Sequence, residues 1–153
     1  MALVVTTPVP GRAVPLADVP DPVFAGAVVG GGAAVDPPHR VIDVVAPIDG
    51  ALVKVQPHAF IVQSDTGVAV LVHLGIDTVH LAGASFTLRR TAGEKVRAGD
   101  VVTTWDVAAA VARGLSPMVP VIALDQPVTA VHPAPAVTTK AELTIGDVLA
   151  TVG

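Results

Sequence analysis

Glycine and proline interrupt this chain so often that long helices have no room: 14 of each stand among 153 residues. Inside a helix, proline costs about 3 kcal/mol and glycine about 1 kcal/mol relative to alanine. Both are at home in tight turns between strands. The segments between them are short apolar runs of Val, Ala, Leu and Ile, and 52% of the chain is apolar, enough to fill a core. The pattern predicts strands over 3–5, 12–15, 28–29, 33–35, 41–45, 51–55, 59–63, 68–74, 85–89, 101–106, 119–123 and 148–152. Only 106–114, DVAAAVARG, reads as a helix, with Asp at its start and Gly at its end. A helical turn is expected near Pro22–Phe24, and the Pro- and Thr-rich stretch 130–140 reads as a loop. The fold class is all-β: an antiparallel sandwich or barrel with one or two short helical turns, residues 1–153 forming a single domain.

A faint internal repeat refines this expectation. Pro8-Val-Pro-Gly11 resembles Pro47-Ile-Asp-Gly50, each followed by an apolar run, and Gly99-Asp100 before Val-Val resembles Gly146-Asp147 before Val-Leu. The spacings, 8 to 47 and 99 to 146, differ, so no solenoid period exists. A duplicated half-barrel accounts for them better.

Charge and cysteine content exclude several function classes. The formal charge is −4 and the nine Lys and Arg are scattered, so no basic stripe can neutralise a nucleic-acid backbone. With no cysteine there is no disulfide frame, no thiolate catalysis and no Cys-type zinc site. The N-terminus lacks the features of a signal peptide, and the longest apolar run, Val68 to Ile76, is too short to span a bilayer and reads as a buried strand. A cytoplasmic location is expected.

The informative stretch is 58–73, HAFIVQSDTGVAVLVH, where two apolar runs flank the turn Ser64-Asp65-Thr66-Gly67. A hairpin with an even-numbered loop sets His58 directly opposite His73, on one face and in contact range. A three-residue bulged loop at Asp-Thr-Gly is also open, and it sends the two to opposite faces unless a further bulge restores them. Paired imidazoles can serve as nucleophile and hydrogen-bond donor, can hold a metal given a third ligand, or can simply line a sheet rim. After His73 comes Leu-Gly75-Ile-Asp77-Thr. Glycine there permits a sharp bend that brings a carbonyl to the imidazole Nδ1–H and leaves Nε2 bare. Asp77, at the strand end, reads on residue type alone as a turn or cap residue.

Together these residues carry a signature. His58-Ala-Phe60, Ser64-Asp65-x-Gly67-Val68 and Val72-His73-Leu-Gly75-Ile-Asp77-Thr-Val79 closely resemble the glucose-class enzyme IIA of the phosphoenolpyruvate-dependent sugar phosphotransferase system. Segments 16–24, 45–50, Gly83-x-x-Phe86 and Gly99-Asp100 match in order, from about Thr6 to the C-terminus. The resemblance implies the duplicated hybrid β-fold and a phosphoryl carrier without cofactor. It makes His73 the phosphorylated residue and His58 the second active-site histidine. Gly75 becomes the carbonyl partner of His73, and Asp77 a residue of the docking surface. Val23, Phe24, Val28, Val29, Leu71 and Val79 match apolar positions bordering the histidines, with Val28 or Val29 expected to be partly core. The implied donor is HPr and the acceptor an enzyme IIB/IIC sugar permease, which alone brings the chain to the membrane. Gln56 stands where enteric members carry a threonine in the hydrogen-bond network, and Gln56-Pro57 looks more like the actinobacterial branch.

Other activities fit poorly. Zinc endopeptidases on a related barrel need a His-x-His ligand pair, absent here, although His58 and His73 could hold zinc adventitiously with a third ligand. Biotinyl or lipoyl carriers need a lysine in a set hairpin context that Lys54, Lys95 and Lys140 lack. A purely structural β-domain leaves the histidine signature unexplained. His80, His39 and His132 are expected to be exposed.

Overall fold

The computed structural model describes residues 2–153. Fourteen strands appear in chain order: β1 Leu3–Thr6, β2 Gly11–Pro15, β3 Gly30–Asp36, β4 Val41–Val45, β5 Gly50–Gln56, β6 Ala59–Gln63, β7 Ala69–His73, β8 Phe86–Leu88, β9 Lys95–Val96, β10 Val101–Asp106, β11 Val119–Leu124, β12 Val131–Pro133, β13 Glu142–Leu143 and β14 Val148–Val152. Three short helices join them: α1 Pro22–Ala25, α2 Val107–Ala112 and α3 Pro135–Thr139. All pairings are antiparallel, in an eight-stranded sheet ordered β13-β2-β3-β11-β7-β6-β5-β9 and two three-stranded sheets, β1-β14-β12 and β4-β10-β8.

The sequence repeat is a pseudo-two-fold axis. Thr6 N–H donates to the Pro47 carbonyl at 2.9 Å and Val45 N–H to the Pro8 carbonyl at 2.9 Å, so each half supplies the same bond to the other. Thr7 N–H reaches the Asp147 carbonyl at 2.9 Å as Ala46 N–H reaches that of Asp100 at 2.8 Å. The two Gly-Asp turns are closed alike: the Asp100 carboxylate accepts from Arg97 N–H at 2.9 Å, and that of Asp147 from Thr144 N–H at 2.8 Å.

Strand alternation builds two cores. Inward residues such as Phe60, Val62, Val70, Val72, Leu52 and Trp105 fill the space between the sheets. On the outer face of the eight-stranded sheet lies a smaller cluster, Val14, Ala34, Ile76 and Ile122, roofed by Leu16 and Val19 from the β2–β3 connection. That roof positions the site.

Four sequence expectations are corrected. Residues 28–29 form no strand: Ala27 at φ +54 turns the chain, Val28 N–H returns to the Val23 carbonyl at 3.1 Å, and β3 begins at Gly30. The stretch 130–140 contains β12, paired to β14, and α3, which Pro135 opens at a first-turn position where a missing N–H does no harm. The two-residue strands β9 and β13 went unpredicted because they exist only through pairing with β5 and β2. The buried run 68–76 ends as strand at His73, although Leu74 and Ile76 stay buried.

A candidate active site around two histidines

His73 is the last residue of β7, where Val70 and Val72 point inward and Leu71 and His73 outward. The chain then bends at Gly75, φ +84. That bend returns the Gly75 carbonyl to His73, 2.6 Å from Nδ1. A carbonyl can only accept, so in the neutral ring Nδ1 carries the proton and Nε2 keeps its lone pair. The bend is held from beneath: the buried Thr78 hydroxyl donates to the Leu74 carbonyl at 2.6 Å, and Ile76 N–H donates to that of Ser116 at 2.9 Å.

His58 reaches the same place by another route. The β6–β7 loop is the three-residue form: Ser64 N–H donates to the Val68 carbonyl at 2.9 Å, Gly67 takes φ +89, and the register sets Ala59 opposite His73. On a continuous ladder His58 would face away. It lies just before β6 rather than within it. Gln56 pairs with Ala59, leaving Pro57-His58 as a two-residue turn that frees the ring from strand alternation. The backbone stays tethered, since the His58 carbonyl accepts from Leu74 N–H at 2.7 Å. The rings meet edge to face, centroids 5.2 Å apart at 76°. The expected juxtaposition is present, but a turn makes it rather than loop parity or a further bulge.

The third wall comes from α1. Asp21 caps it, its Oδ1 accepting from Val23 N–H at 2.9 Å and Phe24 N–H at 3.4 Å, with Pro22 at the first turn. Phe24 thereby lies against His73, centroids 5.2 Å apart. The electrostatics oppose one another. Burial pushes the His73 pKa below the ordinary 6.5, while the Gly75 carbonyl, Asp21 and Asp77 partly restore it. His58 is also lowered, by burial, then by the charges of His73 and Lys54. In both rings the net effect favours the neutral form.

The other expected residues fall around this pair. Asp77 is exposed, at φ +60, and opens the turn Thr78–Leu81 without capping it through its side chain, so the carboxylate remains free near His73. Val23, Val28 and Val79 are exposed, at 47%, 73% and 53%. Phe24, Val29 and Leu71 are half-buried against the outer cluster, so Val29 is the partly core member. Gln56 is exposed and, with Lys54, Ala59, Ile61 and Leu124, lines a depression of about 220 Å³ beside His73. Sequence reading missed Asp21 and Lys54. The signal for Asp21 was Asp-Pro ahead of an apolar pair, an N-cap signature. A larger hollow, about 580 Å³ by Asp65 and Asp100, holds no histidine. His39, His80 and His132 are exposed. Among the described residues no three His, Asp or Glu side chains cluster as a metal cage, and no helix is long and apolar enough to cross a membrane.

Comparison with known proteins gives concordant findings. The family described as phosphoenolpyruvate-dependent sugar phosphotransferase system, EIIA 1, matches residues 3–128. The glucose-specific EIIA component of Oceanobacillus iheyensis is 38% identical over 122 residues, which are 78% of this chain and 73% of that protein. The mannose-specific EIIBCA component of Corynebacterium glutamicum is 41% identical over 104 residues, which are 67% of this chain but only 15% of that longer protein. The glucose permease IIA of Mycoplasma capricolum has a TM-score of 0.84 at 31% identity, covering 100% of this chain and 97% of that one.

Proposed function

We propose, from the premise that this chain belongs to the EIIA 1 family of the phosphoenolpyruvate-dependent sugar phosphotransferase system, that His73 is the residue on which it carries the phosphoryl group. A phosphoryl carrier of this system is a phosphotransferase component. The observation that carries the assignment is the 2.6 Å contact from His73 Nδ1 to the Gly75 carbonyl, which leaves Nε2 as the nucleophile with a second imidazole beside it.

The chemistry needs little more. Nε2 attacks the phosphorus of a donor phosphohistidine in line. The new N–P bond forms as the donor's N–P bond breaks, Nδ1 keeps its proton, and the donor imidazole leaves with the electron pair. His58 donates a hydrogen bond to the phosphoryl oxygens. The exposed Val23, Val28 and Val79, with Phe24, Val29 and Leu71 behind them, form an apolar rim that excludes water when a partner docks and so protects the N–P bond. Asp77 lies at that rim, and Gln56 flanks the nucleophile. The donor is the phosphocarrier protein HPr. Relatives fused as EIIBCA support an enzyme IIB/IIC permease as acceptor. Residues 1–153 then form one EIIA domain on the cytoplasmic side, at the membrane only through the permease.

Incubation with phosphoenolpyruvate, enzyme I and HPr, followed by intact mass, tests this. One acid-labile, base-stable phosphoryl group is expected. His73→Ala takes up none; His58→Ala accepts the group but passes it on poorly. Wild-type uptake by His73→Ala would overturn the assignment.

A further inference from the structure

One cationic side chain shares the groove beside His73. Of the nine Lys and Arg in the chain, Lys54 alone lines it. A bulge puts it there. Leu52 points into the core opposite Val62, and regular alternation would turn Val53 outward and Lys54 inward. The register slips between Leu52 and Lys54, so Lys54 instead faces Ile61 and Gln56 faces Ala59 on the outer side. Ile61 and Ala59 in turn face Leu71 and His73. Lys54 and Gln56 thus form one bank, Leu71 and His73 the other, and Ala59 and Ile61 the floor. Bulges beside active sites commonly re-aim a side chain in this way.

The charge placed there has no partner. The two ion pairs among the described residues are Arg90–Glu94 and Lys140–Asp18, and Lys54 is in neither. The carboxylates whose charge His73 feels are Asp21 and Asp77, from α1 and the following loop rather than from the Lys54 bank. Lys54 is close enough to His58 to disfavour a charge on it. At Ala59, opposite His73, the floor presents only a methyl group, leaving space that a larger side chain would fill.

We propose that Lys54, with the Gln56 amide beside it, receives the phosphoryl group in this groove once it is bonded to His73 Nε2, and so favours the phosphorylated state of the carrier. The proposal rests on His73 being the acceptor. During transfer the donor N–P bond breaks as the His73 N–P bond forms, and the three peripheral oxygens keep their negative charge. The Lys54 ammonium keeps its proton and supplies a counter-charge. An exposed lysine with no protein partner does nothing comparable in the unphosphorylated chain, so its effect belongs to the phosphorylated state.

The test compares wild type, Lys54→Met and Lys54→Arg at equilibrium with a fixed ratio of phospho-HPr to HPr. Lys54→Met is expected to shift the partition about fivefold toward phospho-HPr, the upper end for an exposed charge pair. The shift shrinks in 1 M salt, where the screening length is about 3 Å, and Lys54→Arg restores most of it. By phosphorus NMR, the second ionisation of the phosphohistidine moves up in Lys54→Met, a change that mere loss of fold would not produce. Unchanged partition and titration in a phosphorylatable Lys54→Met overturn this proposal alone. Failure of wild type to accept any phosphoryl group overturns the reading of His73 as well.

Discussion

Replacing Gly75 by alanine sets two costs against each other, and their sizes decide what the site does. A Cβ at Gly75 would stand 2.5 Å from Thr78 Cγ2 and 3.0 Å from the Ser116 carbonyl oxygen. Neither neighbour can yield cheaply: Thr78 is fully buried and tied to the Leu74 carbonyl, and the Ser116 carbonyl holds Ile76 N–H. Keeping the bend would cost roughly 1–2 kcal/mol for the left-handed backbone at φ +84 and a further 1–3 kcal/mol for overpacking. Letting the loop swing away gives up chiefly the His73–Gly75 hydrogen bond, about 0.5–1.5 kcal/mol. The loop therefore moves. Gly75→Ala should lose only about 0.5–1.5 kcal/mol in urea unfolding, while nitrogen NMR of His73 changes from one Nδ1–H tautomer to a mixture and phosphoryl uptake slows. Thr78→Ser removes the nearest obstructing atom and keeps the hydroxyl. Alone it should cost about 0.8 kcal/mol; in the Gly75→Ala background it should cost less and recover part of the tautomer signal. A Gly75→Ala protein with an intact Nδ1–H tautomer and wild-type uptake would refute this account of the bend.

Burial lowers the His73 pKa, so the folded chain binds fewer protons than the unfolded chain between that lowered value and 6.5. Stability is then complete above about pH 6.5 and declines as pH falls through the folded value, and phosphoryl uptake stays level below 6.5 before dropping; proton NMR of the His73 ring against pH checks both. Asp21→Ala removes the α1 cap and a carboxylate whose charge His73 feels; it should cost about 1 kcal/mol in thermal unfolding and move the His73 titration further down. Gly11→Ala and Gly50→Ala occupy equivalent places, each added Cβ falling 2.2 Å from a facing carbonyl oxygen, of Asp36 and Gln63. Both should lose about 3 kcal/mol or more in urea unfolding, and by comparable amounts because the two places are equivalent.

How far the sequence could be read follows from which interactions are local. Val41–Val45 and Ala59–Gln63 were legible because burial on one face writes itself into residue type; the helical turn at Pro22–Phe24 was placed too, although the Asp21 cap that starts it was missed. The Gly75 bend was legible for the same reason: glycine permits φ +84 and the carbonyl it turns lies two residues from His73. The 28–29 pair misled because apolar side chains say nothing of the turn that Ala27 makes before them. Strand β12 and the pairs 95–96 and 142–143 depend on partners far along the chain. His58 illustrates both limits. Its residue type announced a site, but its direction depended on where two hairpins place their turns, and a single residue of register reverses that.

The duplication explains why one fold repeated twice yields one site. Arg12 faces Asp36 as Ala51 faces Gln63, and Val35 faces Val119 as Val62 faces Val70. Val121 then corresponds to Val72, which it faces, so the axis passes beside that pair and His73 corresponds to Ile122. Ile122 is fully buried in the outer cluster, whereas His73 is only partly covered. The connections differ in the same sense. Between β5 and β6 lies the two-residue turn that carries His58, while the equivalent β2–β3 connection runs through α1 from Leu16 to Val29. Antiparallel order puts these connections at opposite ends of the sheet. The long one seals Ile122 under Leu16 and Val19, then brings Asp21 and Phe24 down the outer face to His73. The short one adds no such cover at its own end of the sheet. Symmetry supplies the platform, and the difference between two equivalent connections decides which of two matching positions stays accessible.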